Sequence, residues 1–203
     1  MLILASLCFF ISGSAVPSSQ YGSVLDVEAV FGIDYNSLKE GDIVLRRGRS
    51  WLSHTIAGFS SNGVSHCGLL VREGEEWMVI HSISGRISEI DGVRADKLDN
   101  FMREAVPGTL WHASPKFSLD TQATANEGRK MLERGAPFDM DFNLEDDSKI
   151  YCSELVRNAY LDSGSPDFFQ YTRTGGKKFI SLKSFFDPKW FEVKKISDSR
   201  EGH

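Results

Sequence analysis

The chain of 203 residues holds only three cysteines, and no two are spaced as Cys-x-x-Cys. It has no His-Glu-x-x-His either. The spacings that mark common zinc sites are therefore missing, and no metal or other cofactor is expected. No cluster of lysine and arginine occurs; the formal net charge is −5 and the pI about 5.6. A nucleic-acid binder would show a basic stripe, so that class is set aside. No uninterrupted apolar run reaches the roughly 20 residues of a spanning helix. Internal repeats are absent, and nothing marks a second domain.

What is present fits one globular domain. Hydrophobic residues make up 41% and charged residues 25%, which allows a sizeable single core. Leu2 to Ile11 is an uncharged apolar run followed by Ser12-Gly13-Ser14-Ala15. Small residues after such a run read as an export leader over residues 1–15, cleaved near Ala15, although no Lys or Arg precedes it. Residues 16–37 then form a linker or N-terminal extension, residues 38–196 the domain, and residues 197–203 a disordered tail. Export predicts a periplasmic or secreted protein. Its two remaining cysteines, Cys67 and Cys152, could pair, but Cys152 has a better use.

Ile43 to Arg46 reads as a strand. Ser50 caps a helix over Trp51 to Phe59, with Leu52, Ile56 and Phe59 inward. Ser65 to Ser82 reads as two strands joined by a tight turn. A loop at Glu73-Gly74 places His66 opposite His81. A loop at Gly74-Glu75 would set Glu73 against Glu76, a like-charge pair, so the first register is preferred. Either loop leaves both histidines on one face with Gly68, Leu70, Trp77 and Val79, because side chains alternate with period two. Cys67 then faces the opposite side, toward a core.

Arg86 to Ile90 is predicted as a strand, Ala95 to Phe101 as helical, and Thr109 to Ala113 as a strand. Ser118 or Asp120 starts a helix that stops at Gly135. Phe179 to Leu182 and Trp190 to Val193 are closing strands. The aromatics beyond Gly164 form core or an apolar groove, with core preferred.

Cys152 begins a helical pattern with Leu155, Val156 and Ala159 on its own face, ending near Gly164. Unpaired N–H groups and the macrodipole at a helix start favour an anion, which makes thiolate available. A buried structural cysteine is the plain alternative. A thiolate nucleophile needs a base, and the base an orienting partner. Cys152 can be the nucleophile, His66 the base and His81 the third polar member. Tyr151, Glu154 and Asp139 are the candidate substrate contacts. Each has a plainer reading: Tyr151 can pack, Glu154 can stabilise the helix dipole, and Asp139 can be a solvated turn carboxylate. His54 and His112 read as surface or packed histidines.

Gly41-Asp42-Ile43-Val44, Ser65-His66-Cys67-Gly68, Val79-Ile80-His81-Ser82, Phe138-Asp139 and Tyr151-Cys152-Ser153-Glu154-Leu155-Val156 together resemble the YiiX/YebB-like family of circularly permuted NlpC-type papain-like cysteine hydrolases. The likeness covers roughly Leu38 to Val193. It implies an α+β fold: a permuted papain-like core, with an antiparallel sheet or partial barrel packed against helices that include the one bearing Cys152. It also implies Cys152 as nucleophile, His66 as general base and His81 as third catalytic residue. Several relatives carry an acidic residue where His81 stands, and a histidine there also resembles the lecithin retinol acyltransferase-like branch. The expected activity is amide hydrolysis in cell-wall peptides through an acyl-thioester. The alternatives are a lipid-directed acyltransferase, thioesterase or amidase, acting on a lipid-like amide or ester, and a non-catalytic binding protein on the same fold.

Overall fold

Ile43–Arg46 (β2) forms the middle of a six-stranded antiparallel sheet with His66–Glu73 (β3), Glu76–Ile83 (β4), Gly92–Lys97 (β5), Trp111–Pro115 (β6) and Phe191–Lys195 (β9). The strand order is β5-β4-β3-β2-β6-β9. The structure, a computed structural model, describes residues 30–50, 53, 54, 57, 62–86, 88, 90–174 and 176–201. The expected leader, the whole stretch to residue 29 and most of the expected helix after Ser50 lie outside these residues.

Strand alternation divides the core in two. One face carries Cys67, Leu69, Val71 and Ile80. On it lie helix α2 (Thr121–Arg134) and helix α3 (Cys152–Asp162). The other face carries Val44, Leu70 and Val79, which pack on Leu98, Phe101 and Met102 of helix α1 (Leu98–Arg103). A mixed α+β domain with an antiparallel sheet is thus present, as a permuted papain-like core requires.

Local signals placed the longer helices well. Asp120 caps α2, accepting from the Ala123 N–H at 2.9 Å, and Gly135 ends it at φ +61°. Asp is a favoured N-cap, and a left-handed C-terminal glycine is a standard stop. After α3, Gly164 at φ +90° lets the Ser165 N–H return to the Tyr160 carbonyl at 3.0 Å.

Other expectations are corrected. The β3–β4 register is Leu69↔Ile80, Arg72↔Trp77 and Glu73↔Glu76, with the loop at Gly74-Glu75. Gly74, at φ +62°, therefore occupies the first central turn position. A hairpin turn that needs positive φ there selects glycine, and this outweighs a solvent-exposed Glu–Glu pair. Lys97 also bonds Glu76 from the neighbouring strand. Of the expected strand from Arg86 to Ile90, the described residues Arg86, Ser88 and Ile90 are turn or bend, and Ile87 and Glu89 lie outside the described residues. The strand starts instead at Gly92, and only Leu98–Arg103 is helical.

Residues 31–37 are not free linker. Phe31 is fully buried, and Phe31–Gly32 (β1) pairs with Ser197–Asp198 (β10). The expected disordered tail is thereby ordered through residue 201. Asp198 is buried and ion-paired to Arg200 at 2.6 Å. Phe179 belongs to a small hairpin, Tyr171–Thr174 (β7) with Lys177–Ile180 (β8). Phe168, Phe169, Phe185, Trp190 and Phe191 stack on one another and on Tyr160 as core.

Candidate active site

Cys152 is the first residue of α3, at the end of the sheet where β3 begins with His66. Three contacts fix this helix start. Ser82 Oγ donates to the Ile150 carbonyl at 2.7 Å, and Ser153 Oγ donates to the Ile180 carbonyl at 3.2 Å. The Ile180 N–H donates to Tyr151 Oη at 3.0 Å. The helix N-terminus is thus held between β4 and β8, with Leu155, Val156 and Ala159 buried behind it.

The Cys152 thiol interacts with the Cys67 thiol, on the adjacent face of β3. Cys67 hydrogen-bonds to it from the side chain, which lowers the Cys152 pKa most. Burial opposes this, and backbone N–H groups of Cys67, Ser153 and Cys152 add to the lowering. The net shift is downward, toward thiolate. The Cys67 thiol is pushed up by its own burial and by Cys152. Both cysteines are free. Cys67 is core, as its strand position predicts, but it is also the partner of the candidate nucleophile.

His66 and His81 do share a face, and their Nε2 and Nδ1 atoms lie 2.8 Å apart. They sit diagonally across the ladder, since Gly68 occupies the position opposite His81 in the observed register. A Cβ at Gly68 would lie 2.3 Å from Val79 Cγ1 and 3.1 Å from His81 Cβ. Only glycine fits between Val79 and the His81 Cβ. Phe101 stacks on His66 with centroids 5.7 Å apart.

Sequence reasoning missed Asp96. It lies on β5 opposite Val79, and its Oδ2 is 2.9 Å from His81 Nε2. Arg94 holds its other oxygen, with Nε at 2.9 Å. Burial raises the Asp96 pKa, but the bonds from His81 and Arg94 outweigh it and keep the carboxylate ionised. The alternation Val93-Arg94-Ala95-Asp96 was the available signal, had that stretch been read as a strand. An ionised Asp96 accepts from His81 Nε2–H. His81 Nδ1 is then an acceptor, and it takes the proton of His66 Nε2. His66 Nδ1 is left with its lone pair as a base. Burial depresses the pKa of both rings, with His81 and Arg46 also lowering that of His66, so both are neutral at pH 7.

His66 and Cys152 line one cavity of about 610 Å³. Tyr151 lines it too, its ring 5.1 Å from Phe142 and its hydroxyl bound to the backbone. The other two expected substrate contacts are corrected. The Glu154 carboxylate turns back to accept from the Tyr151 N–H at 3.3 Å, as a helix cap. It is 3% exposed, and burial raises its pKa to about 7. Asp139 is buried and bonds the N–H groups of Asp141 and Asn143, bracing the loop around Phe142 at φ +52°. Neither lines the cavity: both Asp139 oxygens and one Glu154 oxygen accept from backbone N–H groups instead. His54 is exposed, and His112 is paired with buried Asp42 at 2.7 Å. Among the described residues no group of His, Cys, Asp and Glu side chains could hold a metal ion.

Residues 37–188 match a family described as permuted papain-like amidase enzymes, YaeF/YiiX, C92 family. No curated protein matches the chain. The crystal structure of yiiX from Escherichia coli O157:H7, described as a metalloprotein of DUF1105, superposes with a TM-score of 0.64. It is 19% identical, and the match covers 77% of this chain and 96% of that one. The likeness shows a shared fold.

Proposed function

The chain belongs to the permuted papain-like amidases of the YaeF/YiiX type, and we propose that it is a cysteine hydrolase that cleaves an amide through an acyl-thioester on Cys152. The observation that carries the reading is the relay from Asp96 through His81 to His66, ending in a basic nitrogen on the cavity that holds Cys152. The thiol proton passes to His66 Nδ1 once the Cys152 side chain turns from Cys67 toward the ring; such contacts commonly tighten only with substrate bound. The thiolate attacks the carbonyl carbon. N–H groups of Cys152 and Ser153, which already face the sulfur, are placed to bond the oxyanion. His66 returns its proton to the leaving nitrogen, and water then hydrolyses the thioester. Asp96 supplies the carboxylate charge that His81 alone lacks. A binding protein on this fold would have no use for a buried relay with its tautomers set in order.

The expected leader favours an exported enzyme acting on cell-wall peptides. A second reading, a lipid-like amide or ester, is favoured by the aromatic cavity wall of Phe138, Phe142 and Phe179. The test is parallel incubation of the wild type and Cys152→Ala with muropeptides and with N-acyl amides. Cleavage by the wild type alone, with product masses identifying the bond, is expected. Equal alkylation of both proteins by iodoacetamide would overturn the nucleophile assignment.

A further inference from the structure

The cavity has two chemically different sides. Beside the Cys152 helix it is lined by Phe138, Phe142, Tyr151, Phe179, Ile180 and Leu182, and the one cation on that side, Lys177, is already paired with Asp141 at 3.2 Å. Beside His66 it is lined by Arg46, Arg49 and Arg103. Arg46 is the cross-strand neighbour of His66. Glu104 is the one carboxylate among the described lining residues, and Arg46 already binds it at 2.7 Å. The buried Arg46 Nε has no partner. Arg49 makes only a long 3.4 Å bond to the Ala105 carbonyl, and no described ion pair involves Arg49 or Arg103. Arg49 and Arg103 stand exposed at the rim of the cavity, and two unpaired guanidinium groups at one place on a chain of net charge −5 concentrate anions there.

Resting on the amidase reading, we infer that the substrate joins an apolar acyl group to an anionic leaving group, and that Arg49 and Arg103 select the anion. The direction follows from the proton. The general acid protonates the leaving nitrogen, so the leaving group lies on the His66 side, among the arginines. The acyl group stays on sulfur, on the aromatic side. In the first step the Cys152 S–C bond forms and the C–N bond breaks. The thiol proton reaches that nitrogen through His66, and an amine bearing the anion departs. Water then cleaves the thioester, giving a carboxylic acid and the free thiol. A carboxylate or a phosphate on the amine satisfies two guanidinium groups equally.

The experiment compares kcat/KM of the purified full chain for three amides of one acyl length: N-octanoyl-glycine, N-octanoyl-phosphoethanolamine and neutral N-octanoyl-ethanolamine. We expect at least one anionic amide to exceed the neutral one about tenfold, the better naming carboxylate or phosphate. The ratio should fall toward one in Arg49→Gln/Arg103→Gln, mainly through KM, and should shrink with added salt. A ratio near one in the wild type, or one unchanged in the double variant, overturns the inference. If no amide is cleaved, the amidase reading fails instead. Calorimetric binding to Cys152→Ala then decides the anion preference: tighter binding of an anionic amide supports it, and equal binding overturns it.

Discussion

His81 Nε2 and Asp96 Oδ2 lie 2.9 Å apart on adjacent antiparallel strands, and this contact sets the protonation of both histidines. Asp96→Asn keeps the shape but offers an N–H where His81 now donates. His81 then presents Nδ1–H toward His66, and the proton on His66 moves to the nitrogen meant for the thiol. A wrong tautomer of this kind is costly; about a 100-fold or larger loss of kcat/KM is expected. Amide turnover at pH 7, with thermal unfolding to confirm the fold, checks it. Full activity in Asp96→Asn would remove Asp96 from the mechanism.

Cys67 is a donor to the Cys152 sulfur. A hydrogen bond to a charged group contributes about 1.5–3 kcal/mol, and one pKa unit is about 1.4 kcal/mol. Cys67→Ala should therefore move the acid limb of Cys152 alkylation to higher pH. Cys67→Ser, which keeps a donor, should move it less. Rates of iodoacetamide labelling across pH, followed by peptide mass, give the two profiles. Coincident profiles would show Cys67 to be packing alone.

Gly68→Ala drives a methyl group into Val79 and His81 at the distances already given. Overpacking of this kind costs about 1–3 kcal/mol, and the His81 ring must shift to accept it. Urea unfolding should show a lower midpoint at unchanged slope. Turnover should fall by more than the loss of folded protein explains.

Glu154 is an acid whose pKa rises on folding to about 7, from an ordinary value near 4.5. Between those values the folded state binds more protons than the unfolded state, so this group's contribution to stability falls as pH rises from about 4.5 to 7. Above pH 7 the buried charge persists. Glu154→Gln keeps an acceptor for the Tyr151 N–H and removes that charge. It should raise stability by about 1–3 kcal/mol at pH 8 and by close to nothing at pH 4. The buried neutral histidines act oppositely: their depressed pKa values make stability fall as pH drops below about 6.5. Denaturation at pH 4, 6 and 8 for both proteins separates these effects, because the histidine effect is common to both. A constant difference across pH would refute the Glu154 assignment.

Much of this architecture was legible in order along the chain. Asp120 and Gly135 bounded α2 because caps are short-range chemistry. The period-two alternation put His66 and His81 on one face whichever turn formed, because both candidate loops have even length. Cys152 at a helix start followed from the apolar spacing of Leu155, Val156 and Ala159.

Tertiary structure decided what lies beyond local reach. The positive φ of Gly74 overrode a charge argument and moved the hairpin register by two residues in pairing sum. Asp96 joined the site because β5 lies beside β4, a neighbour relation that local spacing does not encode. Cys67 met Cys152 because α3 packs on the sheet face away from His66. Glu154 and Asp139 were consumed by backbone N–H groups, and Phe31 and Asp198 were ordered by a strand pair spanning nearly the whole domain. In each case the deciding contact is long-range packing or a buried hydrogen bond, whose partners are fixed only when the sheet and helices close on one another.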